Sequence, residues 1–145
     1  MYSKLSKYPE AFYRVSLKAI IRNDKGEVLC VQEGSRAWSL PGGGTDHGET
    51  EHEALARELR EEIDYEGDFT CTPLGIESRY MPWRQAYLLW IVYEVKCQEV
   101  PLAVAGADAL DAAYQDTRRF RYSTEVAEQL VYKWTIDRSH SAMAK

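Results

Sequence analysis

The chain has 145 residues, 45% of them hydrophobic and 28% charged, with a net charge of −5. That length and balance fit a single globular domain with a real core, expected to span residues 1–145 with its core at about 12–136. The acidic balance argues against broad nonspecific nucleic-acid binding, and no apolar run reaches the roughly 20 residues that a membrane-crossing helix needs.

The opening stretch MYSKLSKYPEAFYRV has no continuous apolar segment of the kind a secretory leader carries, so a cytoplasmic protein is expected. FYRVSLKAIIR, from Phe12 to Arg22, is rich in β-branched and aromatic residues and predicts a strand. Asn23-Asp24-Lys25-Gly26 is turn chemistry, and Val28 to Gln32 predicts a short strand returning from it as a hairpin. Gly34-Ser35 breaks that strand. Trp38-Ser39-Leu40 predicts a brief extended piece, followed by Pro41 and a loop of three glycines, Gly42 to Gly44.

A helix is predicted from near Thr50 to near Ile63. Thr50 followed by Glu53 matches a capping box, in which the threonine side chain and the glutamate three residues later satisfy each other's backbone amides. Leu55, Ala56, Leu59 and Ile63 fall on one apolar stripe, and Glu51, Glu58, Glu61 and Glu62 on an adjoining face. Arg57, Arg60 and Glu53 are expected to point in a third direction.

Phe69 to Arg79 alternates as a strand does, and Ala86 to Val95 is nearly continuous in apolar residues, as a central strand requires. Arg79 to Gln85 joins them through Pro82. Val100 to Ala113 reads as loop, with ADALDAA as a candidate helical turn. Tyr114 to Tyr122 predicts a last strand, Thr124 to Ile136 an amphipathic helix, and the residues from Asp137 a loose polar tail that includes His140. The cysteines, Cys30, Cys71 and Cys97, lie in strand-like runs without CxxC spacing and predict free thiols rather than a zinc site or a disulfide scaffold.

The window from Asp46 to Glu66 holds nine of the 23 acidic residues. Glu58 and Glu62 are one helical turn apart, and Glu61 lies three residues after Glu58, so all three carboxylates can reach one point beside the helix. Crowded carboxylates repel one another, and a hard divalent cation with oxygen ligands compensates them. The glycines let backbone approach the same point, Glu49 at the helix entrance can orient a neighbour or a water, and Arg57 can steady the carboxylates by bidentate pairing. His47 and His52 read as surface residues.

The run GGTDHGETEHEALARELREEIDY, from Gly43 to Tyr65, resembles the Nudix box. Gly43, Glu49, Arg57, Glu58, Leu59, Glu61 and Glu62 match its spacing, and Trp38-Ser39-Leu40-Pro41-Gly42-Gly43 resembles its usual lead-in. Asp64 stands where the family has a glycine that ends the helix in a left-handed conformation, and Tyr65 is bulkier than the usual aliphatic residue. Asp64 is expected either to adopt that conformation at some cost or to shift the helix end, with Gly67 taking the turn.

The resemblance implies an α/β fold, an α/β/α sandwich around a mixed β-sheet. It implies a pyrophosphohydrolase dependent on Mg2+, with Mn2+ as a substitute, that cleaves a nucleoside diphosphate linked to another moiety. The site it implies has Glu58, Glu62, Glu61 and the Gly43 carbonyl as metal ligands. Glu61, Glu62, Glu58, Arg57 and Glu49 form the catalytic group, with Glu61 as ligand or water-orienting base.

The resemblance also implies a further acid from a loop before the last strand, at Asp111 or alternatively Asp108 or Asp116, against the alternative of a solvated loop acid at each. Arg79, Tyr80, Trp83 and Arg84 are candidates for substrate binding, through ring stacking and phosphate pairing, against the alternative of a plain surface loop. The expected partner is a small nucleotide, with no stable nucleic-acid complex and no membrane, and a homodimer is permitted. Two other functions on the same fold are a nucleotide-binding regulatory module without turnover and an isoprenoid diphosphate isomerase, the latter requiring Cys71 or Cys97 in the site.

Overall fold

The computed structural model describes residues 13–81 and 85–143. Strand β1 (Tyr13–Ile20) runs parallel to β5 (Ala86–Cys97), and β4 (Phe69–Met81) runs antiparallel to β5 on its other side. Strand β3 (Gly42–Gly44) closes the opposite edge against β1, so the mixed sheet has the order β3-β1-β5-β4. A second sheet pairs β2 (Val28–Gln32) with β6 (Asp111–Gln115) antiparallel. Helix α1 spans Glu51–Ile63 and helix α2 spans Val126–Met143.

The period of two along the strands divides the apolar residues between two cores. Leu17, Ala19 and Ile21 join Leu29 and Val31 of β2 beneath Leu55, Leu59 and Ile63 of α1. Ile20 joins Val28 and Cys30 with Trp90 and Val92 of β5 beneath Leu130, Val131 and Trp134 of α2. Each helix therefore covers its own face, and the expected α/β/α arrangement around a mixed sheet is present. The near-continuous apolar run of β5 follows from this, since a strand covered on both faces has no solvent side.

Several boundaries differ from the sequence expectation. The turn at Asn23–Gly26 forms, with Gly26 N–H donating to the Asn23 carbonyl at 3.0 Å. The hairpin it was expected to join stops after one bridge, Arg22 to Val28. The edge of β1 is taken instead by the glycine segment, beginning with Ala19 N–H on the Pro41 carbonyl at 2.9 Å, and β2 leaves to pair with β6. The three glycines expected as a loop are thus an edge strand. Gly42 has φ +132°, and a Cβ there would overlap the Leu17 carbonyl oxygen, so the close approach to β1 requires glycine.

The last strand begins at Asp111 rather than Tyr114, so ADALDAA ends in strand and not in a helical turn. It stops at Gln115 because the Asp116 side chain accepts from Arg118 N–H at 3.1 Å and starts a 3-10 turn over Thr117–Phe120. Helix α2 starts two residues later than expected and continues to Met143 through the segment expected as a loose tail, which has neither Gly nor Pro to stop it. Among the described residues no helix is long and apolar enough to cross a membrane.

Candidate active site

Helix α1 starts on the predicted capping box. Thr50 accepts from Glu53 N–H at 3.1 Å, and Glu53 accepts from Thr50 N–H at 3.4 Å. It ends where Asp64 takes φ 54°, ψ 29°, the left-handed conformation, so the helix end is not shifted and Gly67 does not take over the turn. The turn lets Tyr65 N–H reach the Leu59 carbonyl at 3.2 Å.

Arg57 lies inside the acidic cluster, not on a third face. Its Nε and Nη2 donate to the two oxygens of Glu49 at 2.8 and 2.9 Å. Its Nη1 donates to Glu58 at 3.0 Å and to Glu61 at 3.4 Å, and Nη2 also donates to the Gly44 carbonyl at 3.0 Å. Asp46 adds a fourth carboxylate at 3.4 Å. A long side chain explains the difference: the guanidinium swings toward the i+4 position and the loop, where the charge is. Hydrogen bonds from Arg57 and then from the Asp46 amide hold the Glu49 carboxyl down at about 2.

The three glutamates have different hydrogen-bond partners. Glu58 and Glu61 meet at Arg57, whereas Glu62 is 2% exposed and turns to the start of the glycine strand. There Gly42 N–H donates to Glu62 Oε1 at 2.5 Å. Burial, and then a hydrogen bond and like charge from Glu33, push the Glu62 carboxyl upward, against the pull of Lys18. Burial raises Glu58 as well, opposed by Arg57.

Glu33 and Lys18 were not among the sequence candidates. The signals were there: Glu33 follows Leu29 and Val31 in the alternation of β2, and Lys18 is a charge set between the apolar residues Leu17 and Ala19 inside a strand.

Among the described residues no three His, Cys, Asp or Glu side chains are gathered closely enough to cage an ion. The donor chemistry nevertheless suits a hard cation. Glu58 lies directly on Gly43, where a Cβ would stand 2.8 Å from its Oε1 and 3.0 Å from its Oε2. Only glycine leaves that space between carboxylate and backbone open.

Across the glycine strand lies a cavity of about 640 Å³, on the sheet face that α2 covers. Lys18, Glu33, Gly43, Gly44, Leu88 and Trp90 are among its walls.

The other sequence candidates lie apart from this cavity. Asp111 spends one oxygen on Ala112 N–H at 2.8 Å, at the start of β6 opposite Gln32. Asp108 meets the box through its backbone, its N–H donating to the Glu61 carbonyl at 2.9 Å. Asp116 pairs with Arg118 beside a different cavity that includes Arg22 and Lys25.

Arg79 and Tyr80 are neighbours on β4 and so face opposite sides of the sheet. Arg79 pairs with Glu77 at 3.7 Å, and Tyr80 meets Tyr87 edge-on at 5.1 Å. They do not form one cluster, and Trp83 and Arg84 lie outside the described residues. His52 stacks on Phe69 at 4.2 Å.

All three cysteines are free. Burial pushes Cys30 up to about 12, while Cys97 sits beside Tyr65 and Cys71 is influenced by Glu51.

The family model described as NUDIX domain matches residues 12–120. An RNA pyrophosphohydrolase of Halorhodospira halophila (strain DSM 244 / SL1) is 40% identical over 73 residues, covering 50% of this chain and 40% of that protein. The chain spans less than half the length of the curated relatives it matches.

Among solved structures, the E. coli ORF135 protein aligns with a TM-score of 0.71 at 19% identity, over 93% of this chain and 97% of that one. A MutT protein from Methanosarcina mazei Go1 aligns with a TM-score of 0.67 at 25% identity, over 92% and 99%. With a matching model that takes in the glycine strand, α1 and both sheets, the chain belongs to the NUDIX family.

Proposed function

We propose that the protein is a Mg2+-dependent pyrophosphohydrolase that cleaves the diphosphate linkage of a nucleoside diphosphate joined to another moiety. The observation that carries this reading is the Glu58 carboxylate lying on Gly43, one residue from the Gly42 amide that Glu62 holds. Carboxylates thus meet the glycine backbone, and Gly43 of that backbone lines a cavity large enough for a nucleotide.

Glu58, Glu62 and the Gly43 carbonyl would hold the cation, with Glu61 beside them. When bound, Mg2+ neutralises diphosphate oxygens and lowers the pKa of a coordinated water. Glu61, whose side chain is 35% exposed, is placed to accept the proton of the attacking water at its carboxylate. Arg57 keeps Glu58 and Glu61 oriented and is itself aligned by Glu49.

The test is a panel of nucleoside diphosphate derivatives with Mg2+, with RNA as a further arm because relatives are named RNA pyrophosphohydrolase. Pyrophosphate-bond cleavage by the parent, lost in Glu62→Gln together with Mn2+ binding, is expected. A folded parent that cleaves none of them, with Glu62→Gln binding Mn2+ as tightly as the parent, sinks the reading. Tight nucleotide binding without cleavage points instead to a regulatory module.

A further inference from the structure

Lys18 is 5% exposed, in the middle of β1, and a charge so deeply placed needs partners. It has three. Its Nζ donates to the Leu40 carbonyl and the Gly42 carbonyl, each at 3.2 Å, and to Glu33 at 3.4 Å. An ammonium has three N–H donors, so none is left for a substrate phosphate. The ammonium also lies over the Trp90 ring, 5.1 Å from its centre.

The partners place Lys18 at the junction of the site. Gly42 is held from two sides: its carbonyl accepts from Lys18, and its N–H donates to Glu62. The next residue, Gly43, is the one against which Glu58 lies. Glu33 is shared in the same way, with Lys18 at one oxygen and Glu62 as its neighbour. A three-residue edge strand of glycines has no side chains of its own to anchor it. Its position rests on the ladder to β1, on these two grips at Gly42 and on Arg57 at the Gly44 carbonyl.

We propose that Lys18 is a positioning residue for the box glutamates. It fixes the Gly42–Gly43 backbone and the Glu33 carboxyl, and through them the placement of Glu62 and Glu58. This rests on the pyrophosphohydrolase reading, and it adds a residue from β1 whose donors are directed to protein oxygens. Misplacement of such groups by about 1 Å costs on the order of 100-fold in rate.

The experiment compares the parent with Lys18→Met, which keeps the stem and removes the donors. Two readouts are taken: steady-state kinetics with Mg2+, and the Gly42 amide proton shift by NMR without metal. A fall of at least about tenfold in kcat with KM within about twofold is expected. The Gly42 amide is expected to move upfield as its bond to Glu62 lengthens. A merely structural role would lower the melting temperature and leave both readouts of the folded fraction at parental values, and that result overturns the proposal.

If Lys18→Met does not fold, Lys18→Gln, which removes the charge and shortens the reach while keeping a neutral amide with two N–H donors, is read in the same way, with the same outcomes deciding. Should the parent itself cleave nothing on the panel, the functional reading fails. The Gly42 amide shift then still decides whether Lys18 holds the strand.

Discussion

Arg57 and Glu49 form a two-point ion pair, Nε to Oε2 at 2.8 Å and Nη2 to Oε1 at 2.9 Å. The fork of the guanidinium meets both oxygens of one carboxylate, which fixes direction as well as distance. The remaining nitrogen is thereby aimed at Glu58 and Glu61. Glu49 therefore works through Arg57. Replacing Arg57 with Gln removes the aim of both box glutamates, and activity is expected to drop about 10–100-fold. Glu49→Gln, which retains one acceptor, should lose less.

The same pair sets an acid limit on stability. The Glu49 carboxyl is held at about 2 in the folded protein, below its ordinary 4.5. A lowered carboxyl contributes stability that is fully present above the ordinary value and is lost as pH falls toward the folded one. Urea midpoints of the parent should therefore decline between pH 4.5 and 2 more steeply than those of Arg57→Gln. Parallel declines in the two proteins would show that Glu49 is not the group responsible.

Glu62 has the opposite sign. Burial makes its charged form costly in the folded chain, so the contribution turns unfavourable as pH rises above the ordinary carboxyl range. In EDTA at pH 8, Glu62→Gln is expected to melt at or above the parental temperature while losing more than about 100-fold in activity. Added Mg2+ should raise the melting temperature of the parent by mass action and leave that of Glu62→Gln nearly unmoved. Equal shifts in both would remove Glu62 from the ligand set.

Asp64 occupies a left-handed backbone position, φ 54°. That conformation costs a residue with a Cβ roughly 1–2 kcal/mol, less for Asp than for most. Asp64→Gly should stabilise the protein by up to about 1 kcal/mol in urea unfolding with kcat unchanged. Asp64→Val should destabilise it, because a β-branched side chain tolerates this conformation worst.

How much of this was legible beforehand depended on distance along the chain. Thr50, Glu53, Leu55, Leu59 and Ile63 declare α1 because capping and helical spacing are local properties. The box glutamates are legible for the same reason. The pairing of Arg57 with the carboxylates is legible too, but its direction is not, because backbone angle, not the reach of a long side chain, decides a helical-wheel position.

Lys18 and Glu33 come to Glu62 from β1 and from the end of β2. Only the antiparallel return of Gly42–Gly44 onto β1 brings them there. Strand pairing is non-local, and the same fact explains why β2 was assigned to the wrong partner. The end of β6 is the exception, a local signal: Asp116 accepts from Arg118 N–H two residues on and stops the strand.

The loop before β6 contributes its backbone where a carboxylate was expected. Gly106 N–H donates to the Glu62 carbonyl at 2.7 Å, and Asp108 N–H to the Glu61 carbonyl at 2.9 Å. These are carbonyls of the last turn of α1, which have no partner within the helix. A Cβ on Gly106 would overlap the Glu61 carbonyl oxygen and lie 2.9 Å from its carbon and 3.0 Å from that of Glu62. All three atoms are backbone and cannot turn aside, so either the loop or the end of α1 must move.

Gly106→Ala is expected to cost about 1–3 kcal/mol, the usual range for overpacking. It should also lower kcat by tenfold or more at saturating Mg2+, because the displaced segment carries Glu61 and Glu62. Gly34→Ala is the control for the urea midpoint, since a Cβ there meets nothing within 4 Å. If Gly106→Ala keeps parental kcat and urea midpoint, the loop does not bear on the catalytic helix.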